Sequence, residues 1–114
     1  MKSIKDLSPP VQDILHAVSE EFGVTPGFAM IAGRTMPAPT IRRIVWLYLD
    51  RCLHWDRTRI AIEFGVSVST ISHRMTSLRN DGLYDRWCAW LDVWQREHAQ
   101  HHPPCCLPPE GGQA

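Results

Sequence analysis

No run of uninterrupted apolar residues in this 114-residue chain approaches the ~18 positions that a membrane-spanning helix requires. The amino terminus, MKSIKDLSPP, lacks the apolar centre of a secretory leader, so a cytoplasmic protein is expected. Net charge is lacking too, since twelve Lys and Arg balance twelve Asp and Glu. Cysteine is sparse, and its four positions make no disulfide framework. Cys52 and Cys88 fall inside apolar helical patterns and read as buried, reduced thiols, whereas Cys105 and Cys106 are adjacent in a tail. No segment alternates convincingly between apolar and polar residues, so no strand is expected, and no internal repeat occurs. A Gly-rich phosphate loop of the GxxxxGK kind is missing, which argues against a nucleotide partner. No Ser-His-Asp set or paired carboxylate has a supporting context, so neither an enzyme nor a cofactor is expected. His98, His101, His102, Cys105 and Cys106 are metal-ligand types, but their spacing matches no standard zinc pattern. The Pro- and Gly-rich segment 101–114 reads instead as a disordered tail, with no metal.

What is present is helical periodicity. Val11, Ile14, Leu15, Val18 and Phe22 form one stripe, opened by Ser8-Pro9 and closed by Gly23. Thr25-Pro26 starts a short second helix that Gly33 closes. Residues 34–40, RTMPAPT, read as a non-helical loop because two prolines fall within three positions. A third helix over about 40–53 is apolar on most sides, through Ile41, Ile44, Val45, Tyr48 and Cys52 and then Trp46, Leu47, Leu49 and Leu53, which marks it as the central one. Asp56 caps a fourth helix near 57–64; Ser67 caps a fifth over 68–79 that Gly82 ends. A sixth runs from Leu83 to about Gln100 with Leu83, Trp87, Trp90, Leu91 and Trp94 on one side. The expected organisation is an arm (1–10), a helical domain (11–80), a Trp-rich helix (81–100) and the tail.

The charges are unevenly spread. Residues 34–79 hold eight arginines against Asp50, Asp56 and Glu63, while 1–33 and 80–114 are net acidic. A basic middle is an electrostatic footprint for nucleic acid, and equally a solvated Arg-rich surface. The stretch IAIEFGVSVSTISHRM (60–75) sharpens the choice. A glycine within a helix costs roughly 1 kcal/mol relative to Ala, so Gly65 marks a turn with positive φ. Ala61 is small where two helices cross, Val66 and Ile71 plug the angle, and Ile71, Met75 and Leu78 form the buried stripe. This is the helix-turn-helix pattern, against the plainer alternative of an ordinary αα corner. It leaves Ser67, Val68, Ser69, Ser72, His73 and Thr76 on the outer face of the second helix, the end that enters the major groove in DNA-binding versions. Hydroxyls can bond phosphates or base edges, Val68 can touch a thymine methyl, and His73 can read a guanine or stay a surface histidine. Thr70 either faces inward or helps with capping. Arg43, Arg57, Arg74 and Arg79 suit phosphates, which take most protein–DNA contacts.

The order of parts over residues 11–79 resembles the C-terminal DNA-binding domain (domain IV) of the bacterial replication initiator DnaA. The resemblance rests on a helix ending EEFGVT, a short helix, the loop GRTMPAPTIRR, a long apolar helix and the closing RIAIEFGVSVSTISHRMTSL. It implies an all-α domain of about six helices, DnaA domain IV or Trp-repressor-like, with a helix-turn-helix in the major groove. It also implies that Arg34 enters the minor groove and that Arg42 contacts the backbone. The chain departs from that family in two places. Its loop holds only Arg34, and Val68-Ser69-Thr70 replaces the family's Asp-His-Thr-Thr run, one residue shorter. The target then need not be a DnaA box, and the ATPase part has no counterpart here.

Trp87, Trp90 and Trp94 can each bury ~150–250 Å². They either pack on the first five helices or form a partner surface, as a dimer seam or a docking site for the transcription machinery. Together these readings predict a sequence-specific double-stranded DNA-binding protein, a bacterial or phage transcription regulator associated with the nucleoid. A replication-control factor occupying DnaA-like sites is one alternative, and an adaptor using the Trp-rich helix is another.

Overall fold

The computed structural model of the protein describes residues 6–31, 35–80 and 82–98. These fold as α1 (Pro9–Glu21), α2 (Pro26–Ile31), α3 (Ala38–Arg51), α4 (Arg57–Phe64), α5 (Val68–Arg79) and α6 (Tyr84–His98), with no strand among the described residues. The protein is all-α. Gly33, Arg34, the His/Cys cluster beyond His98 and the segment 101–114 lie outside the described residues.

α3 is the hub. Ile41, Ile44, Val45, Trp46, Leu47, Tyr48 and Leu49 are all buried along it, and α1, α2, α4, α5 and α6 each pack on it. The stripe of α1 (Val11, Ile14, Leu15, Val18) supplies one wall of the core, and Ile60, Phe64, Ile71, Met75 and Leu78 of α4 and α5 supply another. Burying so many large apolar side chains on one helix is the main force ordering its neighbours.

Local chemistry sets the helix ends. The Asp56 carboxylate accepts from Arg59 N at 2.8 Å and caps α4. The Ser67 hydroxyl accepts from Thr70 N at 3.1 Å and caps α5. Thr25 Oγ1 accepts from Phe28 N at 3.1 Å at the start of α2. The start of α1 is held from a distance. Its N-cap Ser8 makes no side-chain cap bond within the helix; instead its N–H and hydroxyl donate to the Glu63 carboxylate of α4, at 2.5 and 3.2 Å. A carboxylate at a helix amino end also meets the positive pole of the macrodipole.

Four sequence expectations need correction. Residues 34–40 are not wholly loop, because α3 begins at Ala38 and takes in Pro39 and Thr40. Proline is tolerated in a first turn, where its missing N–H has no intrahelical partner to serve. Gly82 does not end α5: Asn80 is the C-cap, with φ −84°, and Gly82 is not left-handed. Leu83 is 48% exposed, and Cys88 and Leu91 are the buried residues of α6. Finally, the helical body includes positions assigned to an arm, since Leu7 joins the core and α1 begins at Pro9.

The tryptophans of α6 lie partly buried against the core. Trp87 stacks on Phe22 at 5.5 Å and Trp94 meets Tyr48 edge-on at 5.3 Å. The Tyr48 hydroxyl donates to Gln95, and Arg51 pairs with Asp92 at 3.0 Å. The Cys52 thiol donates to Asp92 at 3.8 Å, and both Cys52 and Cys88 are buried and free. No helix of the described residues is long and apolar enough to cross a membrane.

Candidate nucleic-acid interface

The turn between α4 and α5 is built around one backbone conformation. Gly65 caps α4 with φ 68° and ψ 34°, in the left-handed region. Its N–H and that of Val66 return to the carbonyls of Ile62 and Ala61, at 3.3 and 3.0 Å. This closes the helix in the manner of a glycine C-cap and redirects the chain within three residues. Val66 packs partly into the core below the turn, and Ile71 and Ala61 are buried where the helices cross.

The amino end of α5 therefore faces solvent. Ser67, Val68 and Ser69 are exposed, as are His73 and Thr76 farther along. The first-turn hydroxyls form a cluster, with Ser67 Oγ 3.2 Å from Ser69 Oγ and 2.9 Å from Thr70 Oγ1. Thr70 is half-buried and serves the cap network. Thr76 donates its hydroxyl back to the Ser72 carbonyl at 3.0 Å, leaving the oxygen as an acceptor. Ser72 sits less far out than the sequence places it: half-buried, its hydroxyl accepts from Arg57 Nη1 at 3.0 Å. That bond ties the first turn of α4 to the middle of α5 and fixes the Arg57 guanidinium beside the exposed face.

Two more arginines border this face, Arg42 and Arg74. Arg42 of α3 donates to the Ala29 carbonyl at the end of α2, at 2.6 Å. Burial lowers its pKa, and the charges of Arg74 and Arg43 lower it further, so the three cations lie close enough to repel. Arg74 is half-buried and has no hydrogen bond or ion pair with another described residue. Arg79 belongs elsewhere. Its guanidinium lies 5.8 Å from the Tyr84 ring centroid, at the carboxyl end of α5, about 18 Å along the helix from Ser67. Arg59, which the sequence reading omitted, is an exposed cation in the first turn of α4, stacked 3.8 Å over Trp55. Its signal was the aromatic just before the Asp56 cap.

A cleft of about 140 Å³ opens between these elements, lined by Met30, Arg42, Trp46, Phe64, Val66, Thr70 and Arg74. Trp46 meets Phe64 edge-on at 5.7 Å, and its buried indole N–H has no hydrogen-bond partner among the described residues. A second cleft gathers the opposite charge, with Asp13 and Glu20 of α1 beside Trp94 and His98 of α6. A third, shallow and apolar, runs along α6 between Ala89, Trp90, Val93, Trp94 and Glu97, about 430 Å³ in volume. Among the described residues no group of three His, Cys, Asp or Glu side chains could hold a metal ion.

The structure thus brings Arg42, Arg57, Ser67, Val68, Ser69, Thr70, Ser72, His73, Arg74 and Thr76 to the α3–α4–α5 side, keeps Arg43 beside Arg42 on α3, and leaves Arg79 at the junction with α6. Trp87, Trp90 and Trp94 lie on α6. No family model matches the chain, and no curated protein or solved structure is detectably similar to it.

Proposed function

We propose that the protein binds double-stranded DNA sequence-specifically, as a non-catalytic bacterial or phage regulator of transcription in the cytoplasm. In this reading α5 lies in the major groove, with Val68, Ser69 and His73 against base edges. Arg42, Arg57 and Arg74 hold phosphates, and Arg34 reaches the minor groove in the manner of DnaA domain IV. The observation that carries the reading is the exposed amino end of α5, presented by the left-handed turn at Gly65 and bordered by arginines. Free N–H groups at a helix start favour a phosphate, and short hydroxyl side chains allow close approach.

A salt titration of binding to random duplex tests it. Each phosphate contact contributes about −0.9 to the slope of log affinity against log salt. Replacing Arg74 by Gln is expected to flatten the slope by about one contact and to weaken all sequences alike. Replacing Ser69 and His73 by Ala is expected to cost about 1–3 kcal/mol at a selected site and far less on random duplex. Binding that is weak and indifferent to salt refutes the proposal. It favours the adaptor reading, which draws on the apolar cleft along α6 and the 44% exposure of Val93 within it. A control role at DnaA-like replication sites shares the DNA contacts and differs only in which selected sequences bind.

A further inference from the structure

The cleft between α2, α3 and the α4–α5 turn has a composition that duplex binding alone does not use. Its walls are apolar, from Met30, Phe64, Val66 and the Trp46 ring. Its polar groups are two arginines from different helices, Arg42 of α3 and Arg74 of α5, together with the Thr70 hydroxyl. Arg42 is fixed in place by the Ala29 carbonyl. Trp46 is 3% exposed, and its indole N–H is a buried donor without an acceptor among the described residues. The volume, about 140 Å³, is close to the ~150 Å³ that accommodates a benzene ring in an apolar cavity. Apolar walls with a few convergent polar groups are the usual make-up of a small-molecule site.

We propose that this cleft binds a small organic anion with an apolar body of about one ring, its carboxylate bridging Arg42 and Arg74. The apolar body lies against Trp46, Phe64 and Val66. A bare phosphate would leave the apolar walls unfilled; a neutral ring would make no charge-assisted contact with either guanidinium. Because Arg74 and Thr70 belong to α5, a bound anion neutralises charge that a duplex phosphate would otherwise meet. The ligand is therefore a negative effector of duplex binding. That last step rests on the function proposed above, whereas ligand binding itself does not.

The test uses the full chain, isotope-labelled and free of DNA, titrated with sodium benzoate. The readout is the indole N–H resonance of Trp46, identified among the five tryptophans with the Trp46→Phe variant. Benzoate is expected to shift that resonance saturably. Benzamide and inorganic phosphate are each expected to bind at least about tenfold more weakly, the scale of one lost charge-assisted contact. Arg74→Gln, confirmed folded, is expected to weaken benzoate by about tenfold or more. The proposal is overturned if benzoate gives no saturable shift, if only Trp90 and Trp94 respond, or if phosphate or benzamide binds as well as benzoate. The comparison of the three probes on the unaltered protein decides the matter even if the Arg74 variant is unstable. A second arm adds benzoate to a protein–duplex mixture. Weakened duplex binding is expected, and unchanged duplex affinity refutes the effector role. If benzoate binds but no duplex does under any condition, the site stands and the DNA reading falls.

Discussion

Replacing Gly65 with Ala isolates the energetic demand of the turn. A Cβ added at Gly65 meets nothing within 4 Å, so no clash enters the cost. What remains is the backbone, held at φ 68°. Placing an L-residue in the left-handed region costs ~1–2 kcal/mol. Ala also restricts the unfolded chain, which returns ~0.4–1 kcal/mol to the folded state. The net expectation is a loss of about 1 kcal/mol, which in a domain of this size lowers Tm by ~4–8 °C. Gly82→Ala is the control. Its φ is not left-handed and its Cβ also meets nothing within 4 Å. It is expected to change stability by no more than about 0.5 kcal/mol. Gly65→Asn falls between the two, because Asn tolerates the left-handed region better than Ala. Thermal and urea denaturation followed by far-UV circular dichroism measure all three. If Gly65→Ala melts with Gly82→Ala at the unaltered temperature, the turn does not depend on its left-handed position. The account of how α5 is presented then fails.

Other perturbations probe the remaining links. Leu91→Ala, at a fully buried position on α6, is expected to cost ~2–5 kcal/mol in urea denaturation, and Val93→Ala, which is exposed, little; equal effects would mean that α6 is not docked as described. Ser67→Ala removes the hydroxyl that caps α5 and is expected to cost about 1 kcal/mol by the same measurement. Burial, then the charge of Asp92, pushes the Cys52 thiol from its ordinary 9.0 up to about 12, and burial pushes the Tyr48 hydroxyl up as well. Both groups favour the neutral form in the folded state, so their stabilisation is complete below pH 9.0 and is lost as pH rises toward 12. The urea midpoint is expected to fall over that window, and less steeply in Cys52→Ala. Neutralising Asp13 and Glu20 together, as Asn and Gln, raises net charge by two yet is expected to leave affinity for random duplex nearly unchanged at physiological salt. Arg74→Gln lowers net charge by one and is expected to weaken it several-fold; the reverse ranking would show that net charge governs binding.

Much of this fold is legible locally. Asp56 and Ser67 announce their helices because an N-cap needs only a short acceptor side chain and the N–H three residues on. The apolar girdle of α3 marks it as central because no other arrangement covers so many sides. Pro39 misled because the rule against helical proline lapses in a first turn. What no local pattern reports is how helices cross. Ser8 and Glu63 are 55 residues apart, and Arg57 and Ser72 are 15 apart. Each pair meets only because the tertiary packing sets α4 against α5 and brings Glu63 to the residue that opens α1. The same holds for the tryptophan stripe. Its period was evident, but that Trp87 would find Phe22 and Trp94 would find Tyr48 depended on the docking of α6. The cleft at Trp46 draws residues from four segments of chain and has no linear signature at all.

A net charge of zero is a poor guide to what such a molecule attracts. At physiological ionic strength charges farther apart than ~8 Å are largely screened, so a polyanion senses a local set of groups rather than a sum. Here the sum divides. Of the three acids in the basic middle of the sequence, Asp56 is engaged at the start of α4 and Glu63 at the start of α1. Each accepts from a backbone N–H at a helix amino end. Asp92, on α6, pairs with Arg51 and lowers its own pKa by doing so, chiefly through that hydrogen bond. Asp13 and Glu20 share a different cleft, beside α6. Burial first, then the charges of Arg74 and Arg43, depress Arg42. In both proposals, a backbone phosphate on α5 and a small carboxylate in the Trp46 cleft, the anion draws on Arg42 and Arg74. If both proposals hold, the two anions compete for those side chains.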